Sequence, residues 1–106
     1  MATSFTNAKA QGVGTTEVEV FTATQKSIII GCSVTNTTSA TLPIMIKVRN
    51  GSTDTFWAKN KRIESGDPLE LMKGNKLVLV AGEKLVVSSA IDNSMDVVLS
   101  ILQGVS

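Results

Sequence analysis

Apolar residues recur along this chain with a period of two, in short runs broken by turn residues, the signature of strands rather than helices. "TTEVEVFT" puts Val18 and Val20 on one face and Glu17, Glu19 and Phe21 on the other, as a half-buried strand would. "KSIIIGCSVTNT" aligns Ile28, Ile30, Cys32 and Val34, and Gly31 within it signals a bulge or the close approach of another backbone. "TLPIMIKVRN" directs Leu42, Ile44, Ile46 and Val48 inward and Met45, Lys47 and Arg49 outward, with Pro43 tolerable only near a strand end or edge. Asn50-Gly51 then predicts a hairpin whose returning strand is "TDTFWAKNKRI".

Ser65-Gly66-Asp67-Pro68 predicts a turn into a short run from Leu69 to Met72. The stretch "KGNKLVLVAGEKLVV", Lys73 to Val87, nearly repeats itself, and its glycines invite comparison with a phosphate-binding loop. Such a loop needs a helix after the glycines, whose amides face the phosphate. Alternating runs follow Gly74 and Gly82 instead, with Leu77 and Leu79 against Val78 and Val80, then Leu85 and Val87 against Val86. The repeat therefore reads as two similar tight turns feeding two strands. "SMDVVLSILQG" closes the pattern with Val97, Leu99 and Ile101 on one face. The expected fold is all-β: a single antiparallel β-sandwich or jelly roll of about eight short strands. Residues 1 to 14 are small and polar, and are expected to form a flexible N-terminal arm ahead of a sandwich domain spanning 15–106. Deleting residues 2 to 14 should then leave the sandwich folded.

At 106 residues the chain is one domain's worth. Its formal net charge is only +1, without the basic excess that phosphate neutralisation demands, so no nucleic-acid partner is expected. Cys32 is the single cysteine, which rules out an intramolecular disulfide and reads as a buried thiol. With no apolar leader and no span long enough for a bilayer, a soluble protein kept in the cytoplasm and without a membrane partner is expected. The sequons at Asn36 and Asn50 then carry no meaning.

Histidine is absent, which removes the usual general base and the commonest metal ligand together. Carboxylates remain: Asp92 and Asp96 flank one turn, while Glu64, Asp67 and Glu70 surround another, and both groups read as solvated turn residues. No catalytic residue, metal or cofactor is expected, and the chain reads as a non-enzyme. "FWAKNKR" holds the only Trp and admits two readings. Phe56, Trp57, Lys59, Lys61 and Arg62 could form a recognition patch, because Trp and Arg anchor interfaces and Trp stacks on sugars. Otherwise the strand buries Phe56 and Ala58 and turns its charges to water.

In this order of strands the chain resembles small β-sandwich virion proteins of tailed bacteriophages, found as capsid decoration (cement) proteins, neck pieces or fibre-associated domains. The segments that carry the likeness are "TATQKSIIIGCSVTNTTS", "ATLPIMIKV", "FWAKNKRIESGDPLEL", "NKLVLVAGEKLVV" and "MDVVLSILQ", with Asn36, Gly66, Gly82 and Leu85 at the recurring turn and strand positions. It covers about Thr15 to Gln103. The resemblance implies a non-enzymatic virion protein assembled in the host cytoplasm, most simply a trimeric cement protein on the capsid exterior. Its partner would be the major capsid protein or another virion protein. Ser4, Phe5 and Lys9 of the arm would join the "FWAKNKR" residues in partner binding. The alternative is a neck, tail or fibre-associated module that recognises a glycan or receptor.

Overall fold

In the computed structural model, residues 4–66, 68–72 and 76–104 are described, and among them there are strands and turns but no helix. Nine strands run in chain order: β1 (Ser4–Val13), β2 (Val18–Thr22), β3 (Ser27–Asn36), β4 (Leu42–Asn50), β5 (Thr53–Ile63), β6 (Pro68–Glu70), β7 (Leu77–Leu79), β8 (Lys84–Ser89) and β9 (Met95–Gln103). They form two antiparallel sheets that face each other. Sheet A has the order β1-β9-β3-β6, with β7 pairing β3 beyond β6, and sheet B has the order β2-β8-β4-β5. This is the all-β sandwich that the period-two pattern predicts. Its core lies between the sheets, where Leu42, Ile44, Ile46, Leu85, Val97, Leu99 and Ile101 are fully or almost fully buried. Burial of each such side chain is worth about 1.5–3 kcal/mol.

Two bulges reassign faces that plain alternation misplaces. In β3, Ile29 pairs with Ile101 and Gly31 with Ser100, so Ile30 is the extra residue. The inward row is therefore Ser27, Ile29, Cys32, Val34 and Asn36, while Ile30 faces solvent. Ile28 and Ile30 thus leave the face that the sequence pattern gave them, because one inserted residue shifts the phase of everything before it. Gly31 does mark the spot: a Cβ there would lie 3.3 Å from Ser100 Cβ and 3.4 Å from Glu70 Oε1. In β2 the register skips Val20, and Phe21 turns back to pack on the core instead of facing away.

The segment expected as a free arm is the regular strand β1. It pairs with β9 from Ser4↔Gln103 to Ala10↔Val97 without interruption, resumes at Val13↔Met95, and rests Ala8 and Ala10 on the core. Elsewhere the turn signals hold. Asn50 pairs with Thr53 across Gly51-Ser52, with glycine in the left-handed region (φ 61°) as a two-residue hairpin requires. Pro43 sits just before the β4–β8 ladder begins at Ile44, so its missing N–H interrupts nothing there. Gly82 (φ 94°) turns the chain from β7 into β8, and the Gly-x-Lys repeat is here a turn between strands rather than a phosphate cradle. Gly74 of its first copy lies outside the described residues.

Candidate functional site: an apolar sheet face and two guarded or unguarded edges

The outer faces of the two sheets differ in chemistry. On sheet B the cross-strand row Phe56–Lys47–Val86–Glu19 runs from β5 to β2, followed by Asp54–Arg49–Lys84–Thr22. Its charges are knitted together. Lys47 pairs with Glu17 and lies 3.6 Å from Asp54, Arg49 bonds Asp54 (2.7 Å) and Glu17 (2.8 Å), and Lys84 reaches Glu19 at 3.2 Å. Hydrogen bonds from Lys47 and Arg49 hold the Glu17 carboxyl below its usual range, and Arg49 above all does the same for Asp54. Val86 sits between Lys47 and Glu19 and is only 1% exposed. The aliphatic stems and ion pairs roof it, and the apolar side chain of this row left exposed is Phe56, at the β5 end.

Among the described residues sheet A has no such roof. Its corresponding row is Phe5–Leu102–Ile28–Val78, apolar from β1 to β7. Phe5 is 76% exposed and Val78 51%; Ile30 and Val98 are exposed on the same face, and Val80 follows at the end of β7. The polar interruptions include Asn7, Ser33, Ser100, Lys9, Glu70 and the Thr35–Asp96 pair. Contiguous apolar surface of this kind marks contact with another macromolecule more often than it marks solvent. The period-two reading could not find this face, because it depended on the bulge at Ile30 and on which strands lie side by side.

The residues singled out from the sequence fall into two groups that the fold keeps apart. Ser4, Phe5 and Lys9 lie on β1, the free edge of sheet A, which packs beside β2 and β8. Phe56, Trp57, Lys59, Lys61 and Arg62 lie on β5, the far edge of sheet B, which packs beside β3. β5 carries two irregularities, where Trp57 and the Lys59–Asn60 pair have no counterpart on β4, and Asn60 is left-handed (φ 53°). Bulges and lysines of this kind keep an edge from pairing with another chain. Phe56, which one of the two readings buries and the other places in a recognition patch, is 45% exposed, with Lys47 Nζ 5.6 Å and Lys59 Nζ 5.1 Å from its ring centre. Trp57 is half-buried against the core instead, and with Ala58, Lys61 and Leu71 lines an open groove of about 310 Å³. The hairpin register sets Phe56 opposite outward-facing Lys47, and the bulge at Trp57 lets both Trp57 and Ala58 rest on the core.

The carboxylates serve turns. Asp92 Oδ1 accepts from Thr15 N (3.1 Å) and Thr15 Oγ1 (2.7 Å), and these bonds hold its pKa below the usual value. Asp96 Oδ1 accepts from Gly12 N, and Glu70 Oε2 accepts from Cys32 N and Met72 N, each near 2.8–2.9 Å. Glu64 is exposed, and Asp67 lies outside the described residues. Among the described residues no three acidic or thiol groups gather as a metal would require. Burial pushes the Cys32 thiol up to about 12, so it is a poor nucleophile.

Asn36 is the least expected polar residue. It is fully buried; its Nδ2 donates to Ala40 O (2.6 Å) and Ile63 O (2.9 Å), while its Oδ1 accepts from Thr38 N (2.9 Å) and Thr38 Oγ1 (2.7 Å). The Asn-Thr turn is thus the clasp that ties β3 to the end of β5.

The chain matches no protein-family model and no curated protein. It is similar in fold to two crystal structures of a pentameric capsid protein isolated from metagenomic phage sequences, one of them solved by iodide SAD phasing. Each superposes with a TM-score of 0.47 at 19% identity over 93% of this chain. The chain spans about three fifths of the length of those solved chains, 59% and 60%.

Proposed function

We propose that this protein is a non-enzymatic structural subunit of a phage particle, a decoration protein that lays the outer face of sheet A on the major capsid protein. The observation that carries the reading is the contrast between the two sheet faces: sheet B is roofed by ion pairs around a buried Val86, and sheet A presents Phe5, Ile30, Val78 and Val98 bare. The location on a particle comes from the resemblance over Thr15 to Gln103. Strand order supports it. Counting β6 and β7 as one interrupted strand, the sheets run 1-9-3-(6,7) and 2-8-4-5, an arrangement in keeping with the jelly rolls common among viral capsid domains. Many copies on a lattice multiply weak contacts, so a shallow apolar face suffices without a deep pocket. The resemblance implies trimers.

Co-sedimentation with shells of the phage that encodes the chain tests this. Wild-type protein should pellet with shells, and Val78→Lys combined with Val80→Lys should abolish binding while circular dichroism stays unchanged. Lys84→Glu, on the opposite face, should bind as wild type. Failure of the wild-type protein to pellet, or full binding by the double lysine variant, overturns the reading.

A further inference from the structure

Beyond contact with a shell, we infer that β1 is a self-pairing edge: two copies of this chain join β1 to β1, antiparallel about Asn7, and so merge their A sheets into one. A free strand edge exposes unpaired N–H and C=O groups, and folds normally disable it by shortness, bulges, proline or charge. The other edges here are disabled. β2 is five residues long and bulged at Val20, β6 and β7 are three residues each, and β5 has two irregularities with Lys59, Lys61 and Arg62 along it. Among the described edge strands only β1 is regular over a long stretch, from Ser4 to Ala10, with Lys9 as its single charge and no proline.

Its side chains are self-complementary about Asn7. Antiparallel pairing centred there sets Ser4 opposite Ala10, Phe5 opposite Lys9, and Thr6 opposite Ala8 of the second copy. All of these pairs keep the face that β9 already gives them, since each joins residues of equal parity. Thr6, Ala8 and Ala10 point inward and are small enough for two sandwiches to meet. On the outer face, Phe5 would lie under the stem and ammonium of Lys9 from the second copy, about 5 Å away between Cβ atoms, a cation–aromatic contact made twice. The two lysines stay at opposite ends of the pair. The row Val78–Ile28–Leu102–Phe5 then continues across the junction to Val98 of the second copy, behind its Lys9. About six backbone hydrogen bonds would form along the seam. A twofold pair follows, in place of the trimer that the resemblance implies.

Light scattering behind a sizing column, on the full chain over a wide concentration range, is the test. The wild-type protein should approach twice the chain mass. Phe5→Lys sets an added ammonium against Lys9 at both ends of the seam and should weaken pairing at least tenfold; Lys9→Phe in the same chain restores a cation opposite a ring and should recover the dimer. Because Phe5 and Lys9 are exposed, both variants should keep the wild-type circular dichroism spectrum. A monomer at every concentration, a trimer, a dimer indifferent to Phe5→Lys, or a loss that Lys9→Phe does not repair would each overturn the pairing. Shell binding is scored separately through Val78 and Val80, so either conclusion can fail alone.

Discussion

Replacing Asn36 with alanine should cost more than any surface change in this domain. The side chain is fully buried and makes four hydrogen bonds, two donated to the carbonyls of Ala40 and Ile63 and two accepted from Thr38. A typical net hydrogen bond contributes about 1 kcal/mol, and a stranded buried group costs about 1–3 kcal/mol. Thr38 is half-exposed and can turn to water, whereas the Asn36–Ile63 bond is buried. Counting the buried bond as stranded and the others as partly replaced by solvent gives about 3 kcal/mol, or a melting temperature lower by about 12–20 °C in a domain of this size. Asparagine to aspartate makes a sharper test. A carboxylate keeps the bonds from Thr38 but opposes two carbonyl oxygens, so only its protonated form can donate there. Its folded pKa must lie above the unfolded value near 3.9. The deficit of Asn36→Asp relative to wild type is therefore smallest below about pH 4 and grows as pH rises through the folded pKa. Chemical denaturation of the three proteins between pH 4 and 8 measures both effects. A cost below about 1 kcal/mol for alanine, or a pH-independent aspartate deficit, would refute the clasp.

Two further outcomes follow from the fold. Deleting residues 2 to 13 should abolish cooperative folding or lower the melting temperature by about 15 °C or more, since β1 covers the edge of β9 and Val13 O accepts from Ser94 N at 2.9 Å; a deletion that melts like wild type would mean that β1 is the dispensable arm the sequence suggests. Glu17 and Asp54 have carboxyls held below their usual range by Lys47 and Arg49, so their stabilisation is complete above about pH 4–5 and fades as pH falls through the depressed values. Thermal melts at pH 2–6 should show this loss, flattened by high salt or by Glu17→Gln; an unchanged pH slope in Glu17→Gln would remove Glu17 from the account.

The alternation of Leu42, Ile44 and Ile46, and of Val97, Leu99 and Ile101, determined by itself that these runs are strands with one buried face. Period two is a property of the extended backbone and needs no partner to be legible. Asn50-Gly51 and Gly82 were equally plain, because the turn is local and its glycine stands in the sequence. What only the tertiary structure decided is phase and neighbourhood. Whether Ile28 or Ile29 faces the core depends on one extra residue opposite β9, and whether Ala58 lies on the same side as Phe56 or joins Trp57 on the core depends on a bulge opposite β4. Such an insertion is fixed by the partner strand's register, to which the local pattern is blind. The same holds for Ser4 to Val13: small polar residues carry little apolar signal, and they become a strand because β9 offers an open ladder. The ion-pair roof over Val86 and the bare row from Phe5 to Val78 each draw residues from four strands scattered along the chain, so their contrast exists only once the sheets are assembled.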